Sequence, residues 1–295
     1  MFTNMNLSII IPIDAYHPVL LSNLESWDNQ NFNKADFEVI VVDSEKKTDW
    51  VEAIDDLKSR GFNLRYEIIE SDHRSVRANF GASQAQAPLL LFFANDFFAD
   101  ETLVSSHVSF HKMHNDKTIG VGTAISVESQ REASAFLRWL EDSGQLFGIS
   151  FTKNVKIPEG YFYMGNCSIK KSFFEQVGGF NEAFAFPCCE DYEFGIRSIS
   201  SGSVSRLVEN AQAIHDHPIT FEERARSMEF AGRSAKILEK LNAFVPIEYR
   251  PLRESLKRIV WKCQRQINGD DQLQHKVWNS KLAGSFYQGY IDQDA

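Results

Sequence analysis

Residues 88–96 constrain the fold more than any other stretch of this chain. Leu89, Leu90, Leu91, Phe92 and Phe93 are large apolar side chains in an unbroken run, and Asn95 and Asp96 follow almost at once. A run of strand length with no polar face belongs in a parallel sheet covered on both sides. The abrupt change at Asn95 and Asp96 marks the place where the chain leaves the core. Ligands of open α/β sheets bind just beyond the carboxyl ends of the strands. A carboxylate there can hold a divalent cation, and the cation can hold a diphosphate.

The flanking segments repeat the theme. Residues 7–11 predict a buried strand ended by Pro12, and residues 19–27 a helix with Val19, Leu20, Leu24 and Trp27 on one face. Residues 37–42 predict a second strand closing on Asp43, 50–57 a helix, 64–69 a third strand and 76–86 a helix. Strand and helix alternate, which predicts an α/β fold with a mostly parallel sheet flanked by helices. In such a sheet the ends of parallel strands share one edge, so Asp43 and Asp96 face one crevice. Further on, residues 102–114 predict a helix and 119–127 a strand, while 136–147 are rich in aromatics. Residues 161–164 predict a strand running into a turn at Gly165 and Asn166, and 171–177 a helix capped by Gly178. A helix opening at Glu190 carries Tyr192, Ile196 and Ile199 as a stripe, and Glu193 can pair with Arg197. Residues 204–208 predict a strand, with His215 and His217 in the loop beyond, and 221–240 a long helix.

The formal net charge of -9 argues against nucleic acid as a partner. No apolar run is long enough to span a bilayer. Cys167, Cys188, Cys189 and Cys263 lack metal-site or disulfide-framework spacing, which fits a reducing cytoplasm.

Residues 7–12 (Leu-Ser-Ile-Ile-Ile-Pro), 37–43 (Phe-Glu-Val-Ile-Val-Val-Asp), the strand to Asp96, 178–182 (Gly-Gly-Phe-Asn-Glu) and 190–197 (Glu-Asp-Tyr-Glu-Phe-Gly-Ile-Arg) occur in that order. Together they resemble the family 2 glycosyltransferases of the GT-A fold, inverting enzymes that use nucleotide-sugars. The resemblance covers about residues 7–241 and implies a GT-A domain over 1–243 with a C-terminal helical extension over 244–295. It implies that Pro12 and Ile13 line the nucleotide pocket, with Asp43 on base or ribose. Asp96 is then the last acid of the Asp-x-Asp motif that grips Mn²⁺ or Mg²⁺, His215 a further ligand with His217 as its substitute, and Asp191 the general base. The chain departs from the pattern at Ala94, where the motif's first acid would stand, and at Ser44, where a second acid would follow Asp43. The first departure leaves the metal-holding acid in place; the second leaves the nucleotide open, with a uridine diphosphate sugar favoured.

Glycosyl transfer needs a leaving group whose growing charge is neutralised and a base that takes the acceptor's proton. Glu190, on the acceptor side, can raise the pKa of Asp191 by repulsion. Arg74 and Arg77 can reach phosphate or lie on a solvated helix face, and Asn95 stands on the nucleotide side. Gly165 and Asn166 can let backbone approach a sugar or form a plain turn. His107, His111 and His114 have helical spacing but no completing carboxylate, and read as a polar or interfacial helix face. In the tail, Leu252, Leu256, Ile259, Val260, Cys263 and Ile267 are at helical spacing among basic residues. Such a helix suits the inner face of a membrane, a second subunit or the chain's own domain. The expected activity is transfer of a sugar to a hydroxyl of a glycan or lipid-linked acceptor in polysaccharide synthesis. The alternatives are a non-catalytic nucleotide-sugar binder and a sugar nucleotidyltransferase; the latter wants a glycine-rich basic loop that residues 14–17 do not provide.

Overall fold

The computed structural model describes residues 5–13, 19–45, 48–152, 155–186, 188–241, 250–268 and 271–292, so the loop at 14–17 lies outside the described residues. The chain opens with β1 (Leu7–Pro12), α1 (Leu20–Asp28), β2 (Phe37–Asp43), α2 (Thr48–Ser59), β3 (Leu64–Ile68), α3 (Arg74–Gln84) and β4 (Leu89–Phe93). It continues through β5 (Phe97–Ala99), α4 (Leu103–Met113), β6 (Thr118–Ser126), α5 (Glu128–Ala133), α6 (Ala135–Asp142), β7 (Asn166–Lys170), α7 (Lys171–Val177), α8 (Glu190–Ser200) and β8 (Val204–His215). Three helices follow: α9 (Phe221–Lys240), α10 (Pro251–Asn268) and α11 (Asp271–Ile291).

The strands form one sheet in the order β3-β2-β1-β4-β7-β6-β8-β5. The first four are parallel, with Ile10 of β1 level with Ile40 and Phe92 on its two sides. Every residue of β1, β2 and β4 is buried, including the polar pair Ser8 and Glu38, where the Ser8 hydroxyl donates to the carboxylate (2.6 Å). The other half is mixed. β7 is antiparallel to both β4 and β6, β6 and β8 are parallel, and β5 pairs antiparallel with β8.

Three expectations for this half change. The strand predicted at 161–164 is irregular chain and a turn, and the real strand, β7, begins at Asn166. Its polar Asn166 and Ser168 are buried because α4 supplies partners for them. His107 and His111 are therefore core groups, correcting the reading of that helix face as polar or interfacial. His107 bridges Ser168 Oγ (2.7 Å) and Asn166 Oδ1 (3.0 Å), and His111 Nε2 meets the same Ser168 Oγ (2.8 Å). Burial lowers His107 to about 4 and His111 to about 3, so both rings are neutral at pH 7. The third change is β8, which runs on through a bulge at Asn210 (φ 61°) and ends at His215 itself.

Below β4, Phe92, Phe162, Phe174, Phe180 and Phe194 form an aromatic slab with ring centroids 5.0–5.8 Å apart. This packing fixes α7 and α8 against the strand. Gly178, left-handed at φ 96°, closes α7 as its sequence predicts. Arg197 holds Glu193 in the expected pair and also donates to the Val177 and Gly179 carbonyls, tying α8 to that turn.

The chain divides into two compact units, Met1–Pro218 and Ile219–Ala295. The division falls before α9 rather than near 243, because α9 packs along α11. A Cβ on Gly232 would lie 2.0 Å from the Phe286 carbonyl oxygen, and one on Gly289 1.9 Å from that of Glu229. No helix among the described residues is long and apolar enough to cross a membrane.

Candidate active site

The turn between β4 and β5 carries Asp96, and Asn23 of α1 holds that turn. Its Nδ2 donates to the Ala94 and Phe97 carbonyls (2.9 and 2.7 Å), and its Oδ1 accepts from Trp27 Nε1 (3.1 Å). The side chain is fully buried with each polar atom engaged. Sequence reasoning passed over Asn23; its signal was a polar residue on the apolar face marked by Leu20, Leu24 and Trp27.

β5 places Phe97 directly opposite His215, the last residue of β8. Asp96 Oδ2 then lies 3.3 Å from His215 Nε2 and 3.8 Å from His217 Nδ1. One ligand atom from each of the three residues falls within 4.8 Å of the others. A carboxylate oxygen and two imidazole nitrogens at this spacing fit a divalent cation. The far nitrogen of His215, Nδ1, is 3.4 Å from Ser126 Oγ, and the Phe97 and Phe147 rings meet the imidazole edge to face. These contacts orient the ring so that Nε2 faces Asp96.

Asp191 lies in the first turn of α8, just after Cys189, whose φ of 74° is left-handed and unusual for a residue with a side chain. Burial raises its carboxyl above the ordinary aspartate value of 3.8, opposed by the Arg74 guanidinium and by backbone N–H donors including Tyr192 and Met164. Arg74 also lies 3.7 Å from Glu190. Met164 leads into Gly165, whose carbonyl accepts from Ala94 N (3.2 Å). The segment that touches Asp191 is thus hydrogen-bonded to the turn that carries Asp96. Gly195 lets this segment approach α8, since a Cβ there would lie 2.0 Å from the Gly160 carbonyl oxygen.

The remaining predicted residues divide. Pro12 ends β1 and buried Ile13 follows it toward the same edge, Ile13 N donating to the Val42 carbonyl (2.9 Å). Asp43 ends β2; its Oδ1 accepts from Ser44 N and Glu45 N, and its Oδ2 from the Tyr66 hydroxyl (2.8 Å). Asn95 is buried beside Asp96. Arg77 is buried rather than on a solvated face, and it donates to the Ser71 carbonyl (2.5 Å). Asn166 is corrected most: its Nδ2 donates to the Thr123 and Ala211 carbonyls and its Oδ1 meets His107, which occupies it inside the sheet instead of toward a sugar. Gly165 is buried in the turn before β7.

The profile of glycosyl transferase family 2 matches residues 8–178, more than half of the chain. Chondroitin synthase of Pasteurella multocida (strain Pm70) is 26% identical over 280 residues, which take in 84% of this chain and 28% of the synthase. The chain spans less than two thirds of the length of the curated relatives it matches. Mannosyltransferase PcManGT from Pyrobaculum calidifontis, solved with GDP-Man and Mn²⁺, superposes with a TM-score of 0.68 at 10% identity, covering 98% of this chain and 88% of that one. S. aureus TarS 1-349 in complex with UDP gives a TM-score of 0.52 at 14% identity, with 97% and 90% coverage. These likenesses establish the GT-A fold with C-terminal helices. By the extent of the profile match, the chain belongs to glycosyl transferase family 2.

Proposed function

We propose that the chain is an inverting, metal-dependent glycosyltransferase that moves a sugar from a nucleotide-sugar, a uridine diphosphate sugar by preference, to an acceptor hydroxyl in glycan synthesis. The observation that carries this reading is the grouping of Asp96, His215 and His217 at the strand ends, with Asp191 linked to the same turn through Met164 and Gly165. Asp96, His215 and His217 would hold Mn²⁺ or Mg²⁺. When bound, the cation neutralises charge growing on the departing diphosphate.

Asp191 accepts the proton of the acceptor hydroxyl, and its raised pKa brings it nearer the range in which a base works well. Glu190 and Arg74 set the field around it. On the nucleotide side, Pro12 and Ile13 form the wall. Asp43, bonded to Ser44 N, Glu45 N and the Tyr66 hydroxyl, is the acid that would accept from base or ribose.

Calorimetric titration of UDP with and without Mn²⁺ tests the donor site, and the expected result is binding strengthened by the metal. Transfer or donor hydrolysis by Asp191→Asn tests the base. Equal rates for variant and wild type, or UDP binding indifferent to metal, would remove the reading.

A further inference from the structure

In α10 the apolar side and the buried side do not coincide. Hydrogen bonds to α11 leave one side of it: Arg258 donates to Ser280 Oγ (3.3 Å), and Ser280 Oγ donates to Glu254 Oε2 (2.9 Å). On the other side, Leu256, Ile259 and Val260 are 65, 59 and 52% exposed. Their i, i+3, i+4 spacing makes them one stripe. A helix that folded only to serve its own bundle would turn that stripe inward, because burying such side chains is the main gain from packing.

The charge around the stripe says what covers it. Arg253, Lys257, Arg258, Lys262 and Arg265 stand against Glu254 alone, in a chain whose formal net charge is -9. By helical geometry Arg253 and Lys257 border the stripe on one flank and Lys262 on the other. A second copy meeting this helix across a two-fold axis would set like charges face to face. A bilayer with anionic headgroups instead matches both features, taking the aliphatic side chains among its acyl chains and the cations at its phosphates.

We infer that α10 is a surface-lying membrane anchor that docks the chain on an anionic bilayer, independently of the catalytic reading. The rest of the chain is acidic and repelled by the same surface, so attachment depends on this helix and on ionic strength.

The test is co-sedimentation of the full chain with vesicles of phosphatidylcholine alone, or of about three parts phosphatidylcholine to one part phosphatidylglycerol. The expected result is binding to the anionic vesicles about tenfold or more above the neutral ones, lost in about 0.5 M salt. Leu256→Ser with Ile259→Ser should abolish binding, and Arg253→Gln with Lys257→Gln and Lys262→Gln should erase the preference for anionic lipid. All five positions lie outside buried packing, so an unchanged circular dichroism melt checks that the variants fold. Failure of the wild type to bind anionic vesicles, or binding that neither variant alters, overturns the inference. So does a wild-type dimer that Leu256→Ser with Ile259→Ser makes monomeric, which would assign the stripe to contact between copies.

Discussion

In the parallel half of the sheet, β2 ends at Asp43, buried and bonded to Ser44, Glu45 and Tyr66. Two strands away, at the border with the mixed half, the turn after β4 presents Asp96 to two imidazoles at 3.3 and 3.8 Å. Both acids follow apolar runs, residues 39–42 and 89–94, so local sequence treats them alike. What separates them is the neighbour. Asp43 is enclosed by its own loop and by the next parallel strand, whereas Asp96 faces an antiparallel ribbon that ends at His215, with His217 two residues beyond. A strand end gains the ligand set for a cation when the adjoining strand brings imidazole nitrogens to the same height.

Substitution at the two acids should therefore separate into two kinds of loss. Asp96→Ala should cost on the order of 10³-fold in turnover and remove the effect of Mn²⁺ on UDP binding. Asp43→Asn should weaken UDP about tenfold by the same factor with or without metal, as loss of one hydrogen bond predicts. If Asp43→Asn instead abolishes the metal response, the division between the halves fails.

Asp191→Asn should lower turnover about 10²-fold, with UDP affinity unchanged. In the wild type the acid limb of the rate profile should lie above the ordinary aspartate value of 3.8, because the base works only when ionised and burial raises its pKa. Activity is present above that raised pKa and lost as pH falls through it; a limb at or below 3.8 would contradict the burial.

Asn23→Ala leaves the Ala94 and Phe97 carbonyls without their donor, at a cost of about 1–3 kcal/mol in stability. It should also weaken Mn²⁺ binding about tenfold, the usual effect of losing a group that orients a ligand. Loss of stability with metal affinity intact would make Asn23 a packing residue only.

The last effect concerns acid stability, and it should arise in the mixed half. His107 and His111 are held neutral in the fold, below their ordinary value of 6.5, so the unfolded chain binds more protons between that value and about 4. Stability is present above 6.5 and falls with pH through this window, by about 1.4 kcal/mol per unit for each ring. Replacing His111 with Gln should flatten that slope in acid melts.

The parallel half was legible because β1, β2 and β4 are built on apolar runs of strand length, and β3 (Leu-Arg-Tyr-Glu-Ile) falls in step with their alternation with helices. Asp43 and Asp96 could be placed on one edge from that alone. The mixed half hid its strands: β7 carries Asn166 and Ser168 into the core, and no local rule anticipates that histidines from α4 will meet them. β8 is interrupted by a bulge, and β5 spans only Phe97–Ala99. The link from Asp191 through Met164 and Gly165 to Ala94 joins three separated segments, and only tertiary packing reveals it.

Three rungs join β5 to β8: Phe97 with His215, Phe98 with Ile214 and Ala99 with Ala213. Alternation along a strand means that deleting one residue from either side would turn His215 to the opposite face, away from Asp96, while leaving the rest of the sheet paired. Descendants of this sequence are therefore held to the spacing that sets this register. They have almost no freedom to add or drop a residue in this short ladder.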